Sequence, residues 1–176
     1  MSGPAASAWS RLDRELDAWH ADGRPATLWL RDDDACRDST ALRRLLDVAD
    51  ANTVPVALAV IPALLETSLP AAVAPCAQVT VIQHGYAHRN HAPADARSCE
   101  LGANRPLFAA LDELAVGFND LAREFGERLV AVLVPPWNRI DAGIVARLPV
   151  AGYCGLSTFG PRKAPYAVHG LLQCNT

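Results

Sequence analysis

Three consecutive carboxylates, Asp32-Asp33-Asp34, constrain this chain more than any other feature. They follow the apolar run Thr27-Leu28-Trp29-Leu30, with Arg31 between. Adjacent carboxylates repel, so a fold that keeps them together at a strand end must compensate them. Fifty residues past Asp34 stands His84-Gly-Tyr-Ala-His88, again directly after a β-like run, Val79-Thr-Val-Ile-Gln83. A divalent ion suits this set, taking a carboxylate oxygen and two imidazole nitrogens and leaving a position open for water. One aspartate is then expected to ligate and another to act as base, because a base beside a cation stays ionised at neutral pH. Residue type leaves open which does which. It also leaves open a structural role for Asp32 in a salt bridge to Arg31 or Arg37, and an acidic cluster ahead of a helix at Ser39. His84 and His88 can face one point from a turn of helix or from a tight loop. His91 is expected beside the centre or in solvent, and His20 and His169 outside it.

At 176 residues the chain fits one domain, residues 1–176, large enough to bury a core. Hydrophobic residues make up 51% and charged residues 20%, a globular balance. A net charge of −3 without a clustered basic face excludes a nucleic-acid footprint. No stretch approaches the roughly 18 apolar residues of a membrane span. The N-terminus, Met1-Ser-Gly-Pro-Ala-Ala-Ser-Ala-Trp-Ser10, has neither a basic segment nor a continuous apolar one, so a cytoplasmic location is expected. The five cysteines form no CxxC pair and read as reduced thiols.

Periodicity predicts helices over Ser7–His20, Ser39–Ala51, Pro62–Val73, Pro106–Gly126 and Asp141–Leu148. Strands are predicted over Thr27–Leu30, Pro55–Ile61, Gln78–Gln83, Leu129–Val134 and Tyr153–Thr158, with a sixth beginning in Val168–Cys174. A long loop, His84 to about Arg105, is expected to be functional or disordered. The alternation implies parallel strands with helical crossovers, whose carboxyl ends gather ligands. Asp32–Asp34, His84 and Pro135–Trp137 all follow predicted strands, so three unusual segments converge on one rim.

These residues resemble the polysaccharide deacetylase family, metal-dependent amide hydrolases on a distorted (β/α) barrel. Asp33-Asp34-Ala35 is similar to the family's first motif, which implies Asp33 as catalytic base and Asp34 as metal ligand. His84 and His88 match its His-x-x-x-His motif and would complete the ligand set, with zinc the expected ion. Val134-Pro135-Pro136-Trp137-Asn138-Arg139 resembles the third, a proline-rich strand end with an aromatic residue. Pro136, Trp137, Arg139 and Arg105 are the substrate-binding candidates. Trp137 offers a flat apolar face to a sugar ring, or the Pro-Pro-Trp segment simply ends its strand. Glu100-Leu-Gly-Ala-Asn-Arg105 resembles a segment lining the cleft.

The resemblance implies an α/β fold, an incomplete barrel of about five to six strands, lacking the family's C-terminal part. Two departures stand out. Many members carry an arginine where this chain has Val134, so Arg139 or Arg105 would have to supply that charge. Relatives also run on into a general-acid histidine past a segment like Gln173-Cys-Asn-Thr176. The expected reaction is hydrolysis of a C–N amide bond, deacetylation of an N-acetylated sugar or small amide. The alternatives are cyclic amide or ureide hydrolysis at the same site and a non-catalytic metal- or ligand-binding remnant. Small-molecule or oligosaccharide substrates are expected rather than nucleic acid or membrane, with a homo-oligomer covering the Tyr153–Cys174 edge.

Overall fold

The first strand begins four residues later than its apolar run suggests. In the computed structural model, which describes residues 4–176 and side chains from residue 9 onward, β1 is Arg31–Ala35 and carries the three aspartates itself. Leu28, Trp29 and Leu30 lie ahead of it and are exposed. Charged strands are intrinsically poor, so contacts elsewhere must hold this one. The reading of residues 1–3 lies outside the described residues. Helix α1, Pro4–Ala21, brings none of its apolar stripe into the core, and Trp9 stays 67% exposed.

The middle of the chain follows the periodicity closely. Helix α2, Thr40–Ala51, is capped by the Ser39 side chain, which accepts from Leu42 N–H, and buries Leu42, Leu46 and Ala49. Strand β2, Val56–Val60, is buried along its whole length, as a central parallel strand should be. The predicted helix 62–73 divides into a 3-10 turn, Pro62–Leu64, and α3, Ser68–Val73. Strand β3, Val79–His84, takes His84 onto its last position. Helix α4, Leu107–Phe125, starts one residue after Pro106, and β4, Leu129–Val134, matches its predicted span. Helix α5 shrinks to Ala142–Val145, β5 to Gly155–Leu156, and the chain ends in a hairpin of β6, Tyr166–Val168, and β7, Leu171–Gln173.

The strand order is β1-β2-β3-β4-β5-β7-β6, parallel except for the antiparallel β6–β7 pair. Seven short strands stand where five or six are expected, because the hairpin adds β6, which forms the outer edge beside β7. Among the described residues nothing closes β6 back onto β1, so the barrel is incomplete. Leu58, Val60, Val79 and Val81 pack with α2, α3 and α4 on the outer face. Ala57, Ala59, Ile82 and Val134 form a strand-only cluster on the inner face. The sheet is strongly curled. In a flat sheet four spacings of about 4.8 Å would put β1 about 19 Å from β5, yet Arg31 Nη1 donates to Ser157 Oγ at 2.6 Å. One side chain therefore joins β1 to the residue that follows β5, four strands away.

Candidate metal centre and its surroundings

Strict strand alternation would send Asp33 and Asp34 to opposite faces. Strand β1 avoids this with an extra residue: Asp32 pairs with Leu58 and Ala35 with Val60, three steps against two. The bulge puts Asp34 in the left-handed region at φ 67°, which an aspartate tolerates better than most residues. Both carboxylates are thereby brought to the rim, and Ala35 returns to the outer core.

Asp34 Oδ1 lies 3.0 Å from His84 Nε2 and 3.3 Å from His88 Nε2. One ligand atom from each of the three residues falls within 4.8 Å of the others, the group of the described residues best suited to an ion. His84 is 3% exposed, and its Nδ1 lies 3.0 Å from the Val134 carbonyl. Donation from Nδ1–H to that carbonyl leaves Nε2 free to ligate, the arrangement that orients metal-binding histidines. Burial pushes the His84 imidazole below the ordinary histidine range, against the opposing pull of Asp33 and Asp34. Its neutral, ligating form is the favoured one. The donor set, with a 63% exposed Asp34 leaving one side open, fits a divalent cation.

Asp33, the expected base, is held by Arg31. Arg31 Nη2 donates to Asp33 Oδ2 at 2.9 Å, and its Nε lies 2.8 Å from Oδ1. The Nε contact lacks hydrogen-bond alignment, so buried Oδ1 has no donor from the protein. Both carboxylate oxygens thus lie against the Arg31 guanidinium, which fixes the orientation of Asp33. Arg31 is itself 4% exposed and also donates to Ser157 Oγ and to Asn138 Oδ1, the latter at 3.1 Å. The guanidinium beside Asp33 is that of Arg31, two residues earlier, and not that of Arg105 or Arg139. Arg105 instead pairs with Glu113 at 2.7 Å, and Arg139 Nη1 donates to the Ser98 carbonyl at 2.7 Å. Neither salt bridge foreseen for Asp32 forms, since Arg37 lies 3.7 Å from Glu66. Burial, then Asp33 and Asp34, pushes the Asp32 carboxyl above its usual range.

The remaining candidates sit against the histidines. Trp137, at φ 55°, packs against His88 with ring centroids 4.3 Å apart and planes tilted by 55°. Pro136 is buried beneath Gly85, where an added Cβ would come within 2.5 Å of Pro136 Cδ. Left-handed backbone at Asp34, His88, Trp137 and Asn138 concentrates strain at this rim. Long loop 84–105 is tied down rather than loose: His91 N–H donates to the Cys99 carbonyl, and Leu101 bridges Ile140. Sequence reasoning missed Arg31 as the partner of Asp33, though its adjacency was visible. It also passed over Glu100, which is fully buried behind the histidine loop.

No protein-family model and no curated protein matches the chain. Solved structures do. It is similar to IcaB from Ammonifex degensii at 16% identity and a TM-score of 0.67, over 85% of this chain and 67% of that one. The BpsB deacetylase domain from Bordetella bronchiseptica aligns at 13% identity and a TM-score of 0.65, over 97% of this chain and 82% of that one. A family 4 carbohydrate esterase from Streptomyces lividans, in complex with acetate, aligns at 15% and 0.58, over 76% of this chain. The chain spans 62% of that esterase, less than two thirds of its length. These likenesses are of fold: the chain has the (β/α) architecture of the polysaccharide deacetylases, in open form.

Proposed function

We propose that this chain belongs with the polysaccharide deacetylases and carries the centre of a metal-dependent amide hydrolase that deacetylates an N-acetylated sugar. The observation that carries the reading is the convergence of Asp34, His84 and His88 beside a carboxylate, Asp33, that Arg31 holds in place. Asp34, His84 and His88 would hold the ion, and their nitrogen and oxygen donors suit zinc. When bound, such an ion supplies Lewis acidity toward water and toward an amide carbonyl.

The chain's own residues do the rest. Asp33 accepts a proton from the attacking water while Arg31 holds its carboxylate in place. The water oxygen bonds to the acetyl carbon, the C–N bond breaks, and the departing amine takes up the proton that Asp33 removed, giving acetate and a free amino sugar. Trp137, packed against His88, would offer its indole to the sugar ring. Deacetylation fits the similar folds, among them a deacetylase domain and a carbohydrate esterase bound to acetate. The homo-oligomer belongs to the same proposal: Tyr166 and Leu172 are exposed on the β6–β7 hairpin, and a monodisperse monomer in light scattering removes it.

Acetate release from chitin oligosaccharides with added Zn²⁺ tests the reading. Asp33→Asn should lower turnover about 100- to 10,000-fold, the span attributed to a general base, with the ion still bound. Ammonia or acid release from cyclic amides, without acetate release, would move the assignment to the rival substrate class. Retained turnover in the variant would take the base role from Asp33.

A further inference from the structure

His84 and His88 have helical spacing, but the segment joining them is not helical. Helix geometry therefore does not bring the two rings together, and some other contact must. Gly85 at φ 54° and His88 at φ 53° bend the backbone so that the amides between and just beyond them turn the same way. Tyr86 N–H donates to Glu100 Oε2 at 3.0 Å, and Ala87 and Arg89 N–H donate to Oε1 at 2.7 and 3.3 Å. Convergent main-chain amides of this kind form a concavity for an anion. Here the anion is the chain's own side chain, with Glu100 0% exposed.

We propose that Glu100 is a positioning residue for the metal centre: its carboxylate, delivered from the far end of the loop, sets the separation of the His84 and His88 rings. Three donors and no acceptor face it, so the position calls for an acceptor-only group. Glutamine fits poorly, because its NH₂ would meet an N–H. Fit is tight from the other side as well, since a Cβ on Gly85 would lie 2.0 Å from Glu100 Oε2. The hydrogen bonds of Glu100 go to the backbone that carries the imidazoles, and it acts through that backbone.

This inference rests on the reading that His84 and His88 hold an ion, and the experiment separates the two. Co²⁺ is titrated into the parent chain, Asp34→Ala, Glu100→Gln and Glu100→Ala, reading affinity and the visible absorption of the bound ion. Amide hydrogen exchange is followed at Tyr86, Ala87 and Arg89. We expect Asp34-dependent binding in the parent. Both Glu100 variants should bind about 10- to 100-fold more weakly, the usual cost of losing a group that orients ligands. Their spectrum should change, and exchange should quicken at those three amides. A folded Glu100→Gln with parental affinity and spectrum overturns the inference and leaves the metal reading intact. No Asp34-dependent binding in the parent overturns both. If Glu100→Ala does not fold, Glu100→Gln alone decides.

Discussion

Asp33 and the His84–His88 pair flank one centre, yet the chain fixes them by different means. The histidine side is local and made of main chain: three amides on a carboxylate 11 to 14 residues away. The aspartate side is distant and made of side chains: one guanidinium joining β1 to Asn138 and to Ser157, which lie 107 and 126 residues on. Main-chain anchoring fixes a loop's path and tolerates little change in the anchoring group. Side-chain anchoring depends on the curl of the whole sheet, since Arg31 reaches Ser157 only because β5 comes round toward β1. Ligand geometry should therefore survive damage to the far strands better than base geometry.

Removing a ligand should have the largest effect. Asp34→Ala or His84→Ala is expected to lower Zn²⁺ affinity by more than the roughly 100-fold that a positioning group costs. Calorimetric titration checks it. Parental affinity in either variant would dissolve the histidine side of the comparison altogether.

Arg31→Met comes next and is the sharper test, because it should split binding from turnover. Asp33 would lose its guanidinium partner, and a displaced base costs about 100-fold in turnover. Zn²⁺ affinity should stay near that of the parent, since no ligand touches Arg31. Stability should fall by about 1–3 kcal/mol, as for a buried acceptor left without its donor, read by urea unfolding. A matching fall in metal affinity would mean that the two sides are one unit.

How far the sequence foretells this centre depends on the kind of contact. Val56–Val60 and Leu129–Val134 are uniformly apolar runs, and their strands fall where the pattern puts them. Asp34, His84 and His88 also come together: His84 ends β3, a strand whose place the pattern gives, and His88 follows it closely. Strand β1 is misplaced by four residues for a physical reason. Its apolar neighbours Leu28–Leu30 look like the strand, whereas the real strand is charged and held by Arg31 and the bulge. Those are tertiary contacts, invisible to local propensity. Strand β6 is only three residues long amid Gly, Pro and Lys, too short to carry a period. Glu100 gives no local signal, since its partners are backbone amides that every sequence possesses.

Gly85→Ala should have a smaller effect on the centre than ligand removal, and it probes the histidine side alone. A side chain there meets both a left-handed φ and Glu100 Oε2, so a loss of about 1–3 kcal/mol is expected from the backbone strain. Thermal unfolding reads it. A neutral substitution would mean that the loop relaxes freely, against the main-chain anchoring described above.

Ser157→Ala should be the smallest effect, and it asks whether the far end of the sheet reaches the base at all. Ser157 is fully buried, and its Oγ accepts from Arg31 Nη1. Without it that donor is left unpaired at a cost of about 1 kcal/mol. The Asp33 and Asn138 contacts remain, so Arg31 loses one of three anchors and turnover should fall only several-fold. The decisive measurement is a double-mutant cycle on turnover and stability. If Ser157 acts through Arg31, Ser157→Ala should cost almost nothing in the Arg31→Met background, because the group it steadies is gone. Additive losses would place Ser157 outside the Arg31–Asp33 chain. The aspartate side would then be as local as the histidine side, with the bulge in β1 sufficient to hold it.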